Sequence, residues 1–259
     1  MNNADNGTAH SLFFVSLSDC LDWVEPRLLE TNQHHLERGG PAEMPWWPAG
    51  YARDAEGRAF EIAVGAVLTQ NTNWNNVEKA LANLHAANVL DATRILDLDD
   101  ETLAELIRPS GFFRIKTRRL RAMTEAWQGA GRLEGLQARP TNDLRDWLLG
   151  IHGVGFETAD DILLYALERP VWVIDAYTRR LFHRLGFPET AARKYDLLAG
   201  DLLTHTREPT AARLARWHGL IVEHAKTHCR VKPSCDGCPL LERCEYGVRT
   251  DRTGDRQAR

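Results

Sequence analysis

No stretch constrains this chain more than Thr141 to Arg180, TNDLRDWLLGIHGVGFETADDILLYALERPVWVIDAYTRR. Its centre, Gly153-Val154-Gly155, reads as a tight turn between two amphipathic helices. The spacing predicts a first helix that starts at Thr141 as N-cap and puts Leu144, Trp147 and Leu148 on one face. The second helix carries Ala159, Ile162, Leu163 and Ala166 at i, i+3, i+4, i+7. The two glycines allow positive φ and let the backbone approach another molecule without a Cβ in the way. Amide N–H groups of such a turn, beside the positive end of the second helix, suit one phosphate of a DNA strand. Twenty residues past Gly155 (175 − 155) comes Asp175, after the apolar run Val171–Ile174. An ordinary αα-hairpin, with Asp175 as a plain N-cap, would read the same up to this point.

A chain of 259 residues can build one large or two small domains with real cores. No run approaches the roughly 18 apolar residues of a membrane span. The start, MNNADNGTAH, lacks the basic-then-apolar build of a signal peptide, so a cytoplasmic protein is expected. The net charge of −4 gives no overall attraction to nucleic acid; DNA binding would need a local basic face.

Residues 1–15 read as a poorly ordered tail. A helix follows from Ser18, with Leu21, Val24, Leu28 and Leu29 inward and Cys20 as a small buried residue. From His34 to Tyr51 the chain is rich in Pro and Gly and holds Trp46-Trp47 before Pro48, a loop with two large aromatics. Phe60 to Leu68, FEIAVGAVL, is apolar nearly all round and suits the central helix of an all-α domain. It ends in Thr69-Gln70-Asn71-Thr72-Asn73-Trp74, and helical spacing restarts with Val77, Ala80, Leu81 and Leu84. Gln70 therefore falls on a helix-to-helix corner. Two short helices follow, near Ala92–Leu96 and Asp100–Ile107, the second stopped by Pro109 and Gly111. Next come Arg114, Lys116, Arg118, Arg119 and Arg121, five basic residues in eight positions. Leu120, Met123 and Trp127 form the inner face there, leaving Arg114, Arg118 and Arg121 for phosphates. Apolar Phe112 and Phe113 beside this basic run could wedge between bases. No strand alternation and no internal repeat is present, so the fold class expected is all-α.

Of five cysteines, four lie close together: Cys229, Cys235, Cys238 and Cys244 give C-x5-C-x2-C-x5-C. Such clustering points to a metal site more than to disulfides. Zinc and a [4Fe–4S] cluster are the candidates. One C-x2-C pair with wide flanking gaps, taken with the hairpin, favours the iron–sulfur cluster.

From Trp46 to Cys244 the chain resembles the endonuclease III superfamily of helix–hairpin–helix DNA glycosylases. That family keeps a catalytic aspartate at the position of Asp175 and a terminal C-x6-C-x2-C-x5-C cluster loop. Here the first gap is one residue shorter, with ligand number and order intact. The resemblance implies two helical lobes: a six-helix barrel over 59–169 holding the hairpin, and a cluster lobe of 170–259 joined by 1–58. Double-stranded DNA would lie in the cleft between them, with a damaged base flipped toward Asp175. It further implies phosphate contacts at Gly153, Val154 and Gly155. Gln70 would fill the gap left by the flipped nucleotide, Phe112 would wedge opposite, and Lys116 and Arg118 would contact the backbone. A monomeric, nucleoid-associated repair enzyme follows from the same resemblance.

One departure bears on the chemistry. Family members with lyase activity carry a lysine two residues after the second hairpin glycine, in GVGRKTA-like sequence, where this chain reads GVGFETA. Glu157 cannot form a Schiff base with the sugar, so base release by water is expected. The stretches WWP, AVLTQNTNW, PSGFFRIKTRRL, GVGFETAD and VIDAYTRR are most similar to the 3-methyladenine DNA glycosylase III branch. In that branch aromatics stack on a cationic methylated purine, which assigns Trp46, Trp47 and Trp74 to the base pocket, with Glu157 beside them. A pyrimidine-directed glycosylase for oxidised, deaminated or mismatched bases is the nearest alternative. A non-catalytic protein that binds damaged DNA is a third.

Overall fold

The computed structural model describes residues 11–36 and 50–252, and every regular element among them is helical. In chain order the helices are α1 (Leu17–Leu36), α2 (Ala55–Leu68), α3 (Trp74–Ala86), α4 (Ala92–Asp97), α5 (Asp100–Leu106), α6 (Phe113–Gly129) and α7 (Arg132–Gln137). They continue with α8 (Thr141–Leu149), α9 (Phe156–Asp161), α10 (Ala176–Leu185), α11 (Tyr195–His205), α12 (Ala211–Thr227) and α13 (Glu245–Arg252). The chain divides into two compact units, Trp47–Val171 and Met1–Trp46 with Trp172–Arg259.

In the unit Trp47–Val171, α2 is the axis: every residue from Ala59 to Leu68 is buried. It packs against α3, α6, α7 and α9, which is why its sequence carries no polar face. Asp54 caps its first turn, accepting from the Gly57 amide at 2.8 Å. The one charged residue in the buried run, Glu61, accepts from the backbone amides of Gly50, Tyr51 and Ala52. A buried carboxylate needs such donors, and in return it fixes the chain that leads out of the double-tryptophan segment. Trp46 and Trp47 themselves lie outside the described residues.

In the other unit, α12 packs against α1 and α10, and α13 against α10. Trp172 lies 5.6 Å from Trp217 and edge-on to Phe182, and these three rings fill its core. Gly186, with φ of 110°, closes α10 in the left-handed region. The expected disordered tail is corrected at its end: Phe14 is buried, stacked on Phe187, with the Arg243 guanidinium 4.3 Å from its ring. The Ser11 hydroxyl donates to Leu185 O. A run whose large apolar residues, Leu12 to Val15, follow one another directly gives no periodicity to read, yet Phe14 anchors it.

Candidate functional site

The hairpin forms between α8 and α9, and α9 continues as one wide turn through Ile162–Ala166. Leu144 and Leu148 are buried, as are Ala159, Ile162, Leu163 and Ala166. Trp147 is only half-buried, under the Arg139 guanidinium. Thr141 is the first helical residue and Pro140 the cap, so the expected threonine cap does not form. The two turn glycines differ in purpose. Gly153 has φ of 85°, and a Cβ there would collide with Cγ and Cδ of Arg119. Gly155 is extended, with φ of −99°, and nothing stands within 4 Å of where its Cβ would be. Of the two uses of glycine expected here, Gly153 thus takes positive φ, while Gly155 takes only the open approach without a Cβ. Val154 is buried, and its amide donates to Ile151 O within the turn. Arg145 of α8 and Asp160 of α9 make two parallel hydrogen bonds of 2.9 and 2.8 Å, fixing the two helices to each other.

Gln70 sits at the α2–α3 corner with its side chain turned to the hairpin. Its amide nitrogen donates to Gly153 O and to the Thr158 hydroxyl, both at 3.0 Å, and Arg119 donates to its amide oxygen. Trp74 is half-buried at the first turn of α3. Phe112 is 65% exposed, held by positive φ at both Gly111 and itself, with Arg114 and Arg118 exposed on the next turn. Two of the cations expected to meet DNA, Lys116 from the family resemblance and Arg121 from the basic face, are corrected. Lys116 is buried, its ammonium donating to Leu68 O at 2.7 Å and Ser110 O at 2.6 Å. Burial pulls that amine down to about 8, with the Arg119 charge adding to the effect. Arg121 is bound to Asp100 and to the carbonyls of Leu96 and Leu98. Helical spacing alone cannot tell a cation at the edge of the inner face from one on the outer face.

Asp175 is the N-cap of α10, accepting from the Thr178 amide at 2.7 Å. Its other oxygen lies 3.7 Å from His218 Nε2, and both side chains are largely buried. Burial pushes this carboxyl upward, but His218 and the Thr178 amide and hydroxyl outweigh it and hold the group below the ordinary aspartate value. The preceding Trp172, Val173 and Ile174 are buried, and the Ile174 amide donates to the Tyr195 hydroxyl. Asp175 is therefore both a cap and an ionised carboxylate on a rigid base. His218, Tyr195 and Arg119 were not legible as site residues, because only the fold brings them to Asp175, to the segment before it and to Gln70. Glu157 is exposed on the first turn of α9.

None of the four clustered cysteines forms a disulfide, and all line one small cavity with His224, His228, Arg184 and Tyr246. Arg184 donates to Cys229 Sγ at 3.2 Å, and also to Arg230 O and Val231 O. Cys238 Sγ lies 3.9 Å from His224 Nε2. Burial and mutual repulsion push the Cys238 and Cys244 thiols up to about 11. Among the described residues, no group of three or more His, Cys, Asp or Glu is drawn together around a single ion. Four thiols around one cavity, with a cation already on one sulfur, fit a cluster whose own atoms separate its ligands.

The chain belongs to the HhH-GPD superfamily of base excision DNA repair proteins, whose model matches residues 64–199, that is 136 of 259. It is a DNA glycosylase of that family. An uncharacterised DNA repair glycosylase of Methanocaldococcus jannaschii is 45% identical over 202 residues, 77% of this chain and 88% of its own. The H. pylori 3-methyladenine DNA glycosylase, solved with 1,N6-ethenoadenine bound, is 32% identical with a TM-score of 0.64 over 78% of this chain and 96% of its own. Endonuclease III, in a non-covalent complex with DNA, shares the fold at a TM-score of 0.69 and 21% identity, covering 92% of this chain and all of its own. No helix among the described residues is long and apolar enough to cross a membrane.

Proposed function

We propose that this glycosylase is monofunctional and releases a flipped, alkylated purine such as 3-methyladenine from double-stranded DNA by hydrolysis. The observation that carries this reading is the Asp175 carboxylate, kept ionised by His218 and Thr178, in a chain with Glu157 at the lyase lysine position. As the N-glycosidic bond breaks, its electron pair leaves with the base and positive charge grows on the sugar. Asp175 stabilises that charge, takes a proton from the attacking water, or does both. A methylated purine is already a good leaving group, so little acid catalysis is required. Trp46, Trp47 and Trp74 would stack on its cationic ring, with Glu157 lining the pocket. The similarity to a 3-methyladenine glycosylase supports that choice of base.

Docking falls to the hairpin amides of Gly153 and Gly155 on a phosphate, and to Arg118 on the backbone; buried Lys116 leaves this set, as does Val154, whose amide is taken by Ile151 O. Gln70 and Phe112 would enter the stack. Cys229, Cys235, Cys238 and Cys244 would hold a [4Fe–4S] cluster, which when bound would tie together the loop that carries them, beside α10 and α12. The enzyme acts as a monomer. A panel of defined duplexes, each with one alkylated, oxidised, deaminated or mismatched base, tests the reading by the base released. Release confined to pyrimidines would replace it with the endonuclease III-like alternative.

A further inference from the structure

Two corners of the hairpin-bearing unit are held by neighbouring residues of one helix. Lys116 and Arg119 lie three residues apart on α6 and so share a face. The Lys116 ammonium binds Leu68 O, at the C-terminus of α2 where a helix carbonyl end favours a cation, and Ser110 O at the turn before Phe112. Leu68 precedes the corner that carries Gln70, and Ser110 precedes the exposed aromatic. One buried cation thus fixes both. Arg119 fixes a third element: its stem lies across the Gly153 turn, and its guanidinium donates to the Gln70 amide. Gln70 in turn reaches the Gly153 carbonyl and Thr158. Every link in this chain is a hydrogen bond or a van der Waals contact, and none requires DNA.

We propose that Lys116 and Arg119 are positioning residues for base extrusion: together they set Gln70 and Phe112 at a fixed offset from the phosphate-docking hairpin. A charge buried at this place is costly to keep, and a lysine serving only to fill volume would be replaced by a methionine at no loss. The inference rests on the reading of Gln70 and Phe112 as the residues that enter the stack. It predicts that the pair governs insertion into DNA and leaves docking on the duplex alone.

The test uses full-length protein and a duplex carrying a tetrahydrofuran abasic nucleotide beside 2-aminopurine. Insertion unstacks the reporter and raises its fluorescence, whichever damaged base the enzyme removes; anisotropy gives the affinity for the same duplex. Arg119→Gln and Lys116→Met should cut the fluorescence rise at least threefold with Kd within threefold of wild type, and Arg119→Lys should restore part of it. Arg119 is half-exposed, so its variants keep the test open if Lys116→Met does not fold by circular dichroism. A full rise in the variants would overturn the inference. So would parallel loss of rise and affinity, or no rise with wild type. A wild-type rise without base release on any lesion would strike the glycosylase chemistry instead and leave this inference standing.

Discussion

His218 Nε2 stands 3.7 Å from Asp175 Oδ2, which joins the middle of α12 to the first turn of α10 at the carboxylate proposed to do the chemistry. Without that imidazole, less opposes the upward push of burial, and the carboxyl would titrate higher. His218→Gln should therefore move the acid limb of the single-turnover rate profile to higher pH and slow release at acidic pH most. An unchanged acid limb would show that Thr178 alone sets the charge. The same depression has a stability consequence. The carboxylate's contribution is complete above its unfolded value near 3.8 and is lost as pH falls through the lower folded value.

The two hairpin glycines should respond differently to alanine. Gly153→Ala forces a left-handed residue, at about 1–2 kcal/mol, and displaces Arg119, so thermal stability should fall; DNA affinity should fall too, because the strained turn no longer presents its own amides to a phosphate. Gly155→Ala adds a methyl into open space in extended backbone and should leave the melting temperature near wild type. If the turn docks a phosphate, that methyl still obstructs the approach, and affinity for undamaged duplex should drop. Equal melting temperatures for the two variants would contradict this division.

Lys116 gives a second pH signature. Its folded value, about 8, lies below the ordinary 10.5, so between those limits the unfolded chain holds more protons than the folded one. The stability of wild type relative to Lys116→Met should therefore rise from pH 8 to 10.5 and be flat below 8. A relative stability that falls over that window would mean that the folded ammonium is favoured, not penalised.

Anaerobically purified protein should contain about four iron and four sulfide per chain, with absorbance in the visible region. Cys238→Ser should lose most of both. Stoichiometric zinc without sulfide would assign the cysteine segment to a different centre.

Much of the hairpin was legible because its helices obey a 3.6-residue period and its turn needs glycine. The run Phe60–Leu68 announced the central helix for a different reason, being apolar nearly all round. Asp175 could be located from its distance past the turn, but its state could not, since that depends on His218, 43 residues away (218 − 175). The basic run after Phe112 was legible as charge and not as direction. Lys116 turned out to satisfy two buried carbonyls, Arg121 to brace the α4–α5 segment, and Arg119 to cover Gly153. Gln70 was placed on the right corner, but its bond to the hairpin carbonyl is a contact 83 residues apart that no local pattern encodes.

The central claim, hydrolysis supported by the Asp175 carboxylate, is tested most directly by single-turnover release of 3-methyladenine from a defined duplex by wild type and Asp175→Asn. The substitution keeps size and hydrogen bonding and removes the charge that faces the developing oxocarbenium. Such a charge or general base is typically worth about 10²–10⁴ in rate. The account predicts a loss of that order with duplex affinity retained, and a wild-type product strand that stays intact until alkali is added. Near-normal release by Asp175→Asn, or a borohydride-trapped protein–DNA adduct matching turnover, would contradict it.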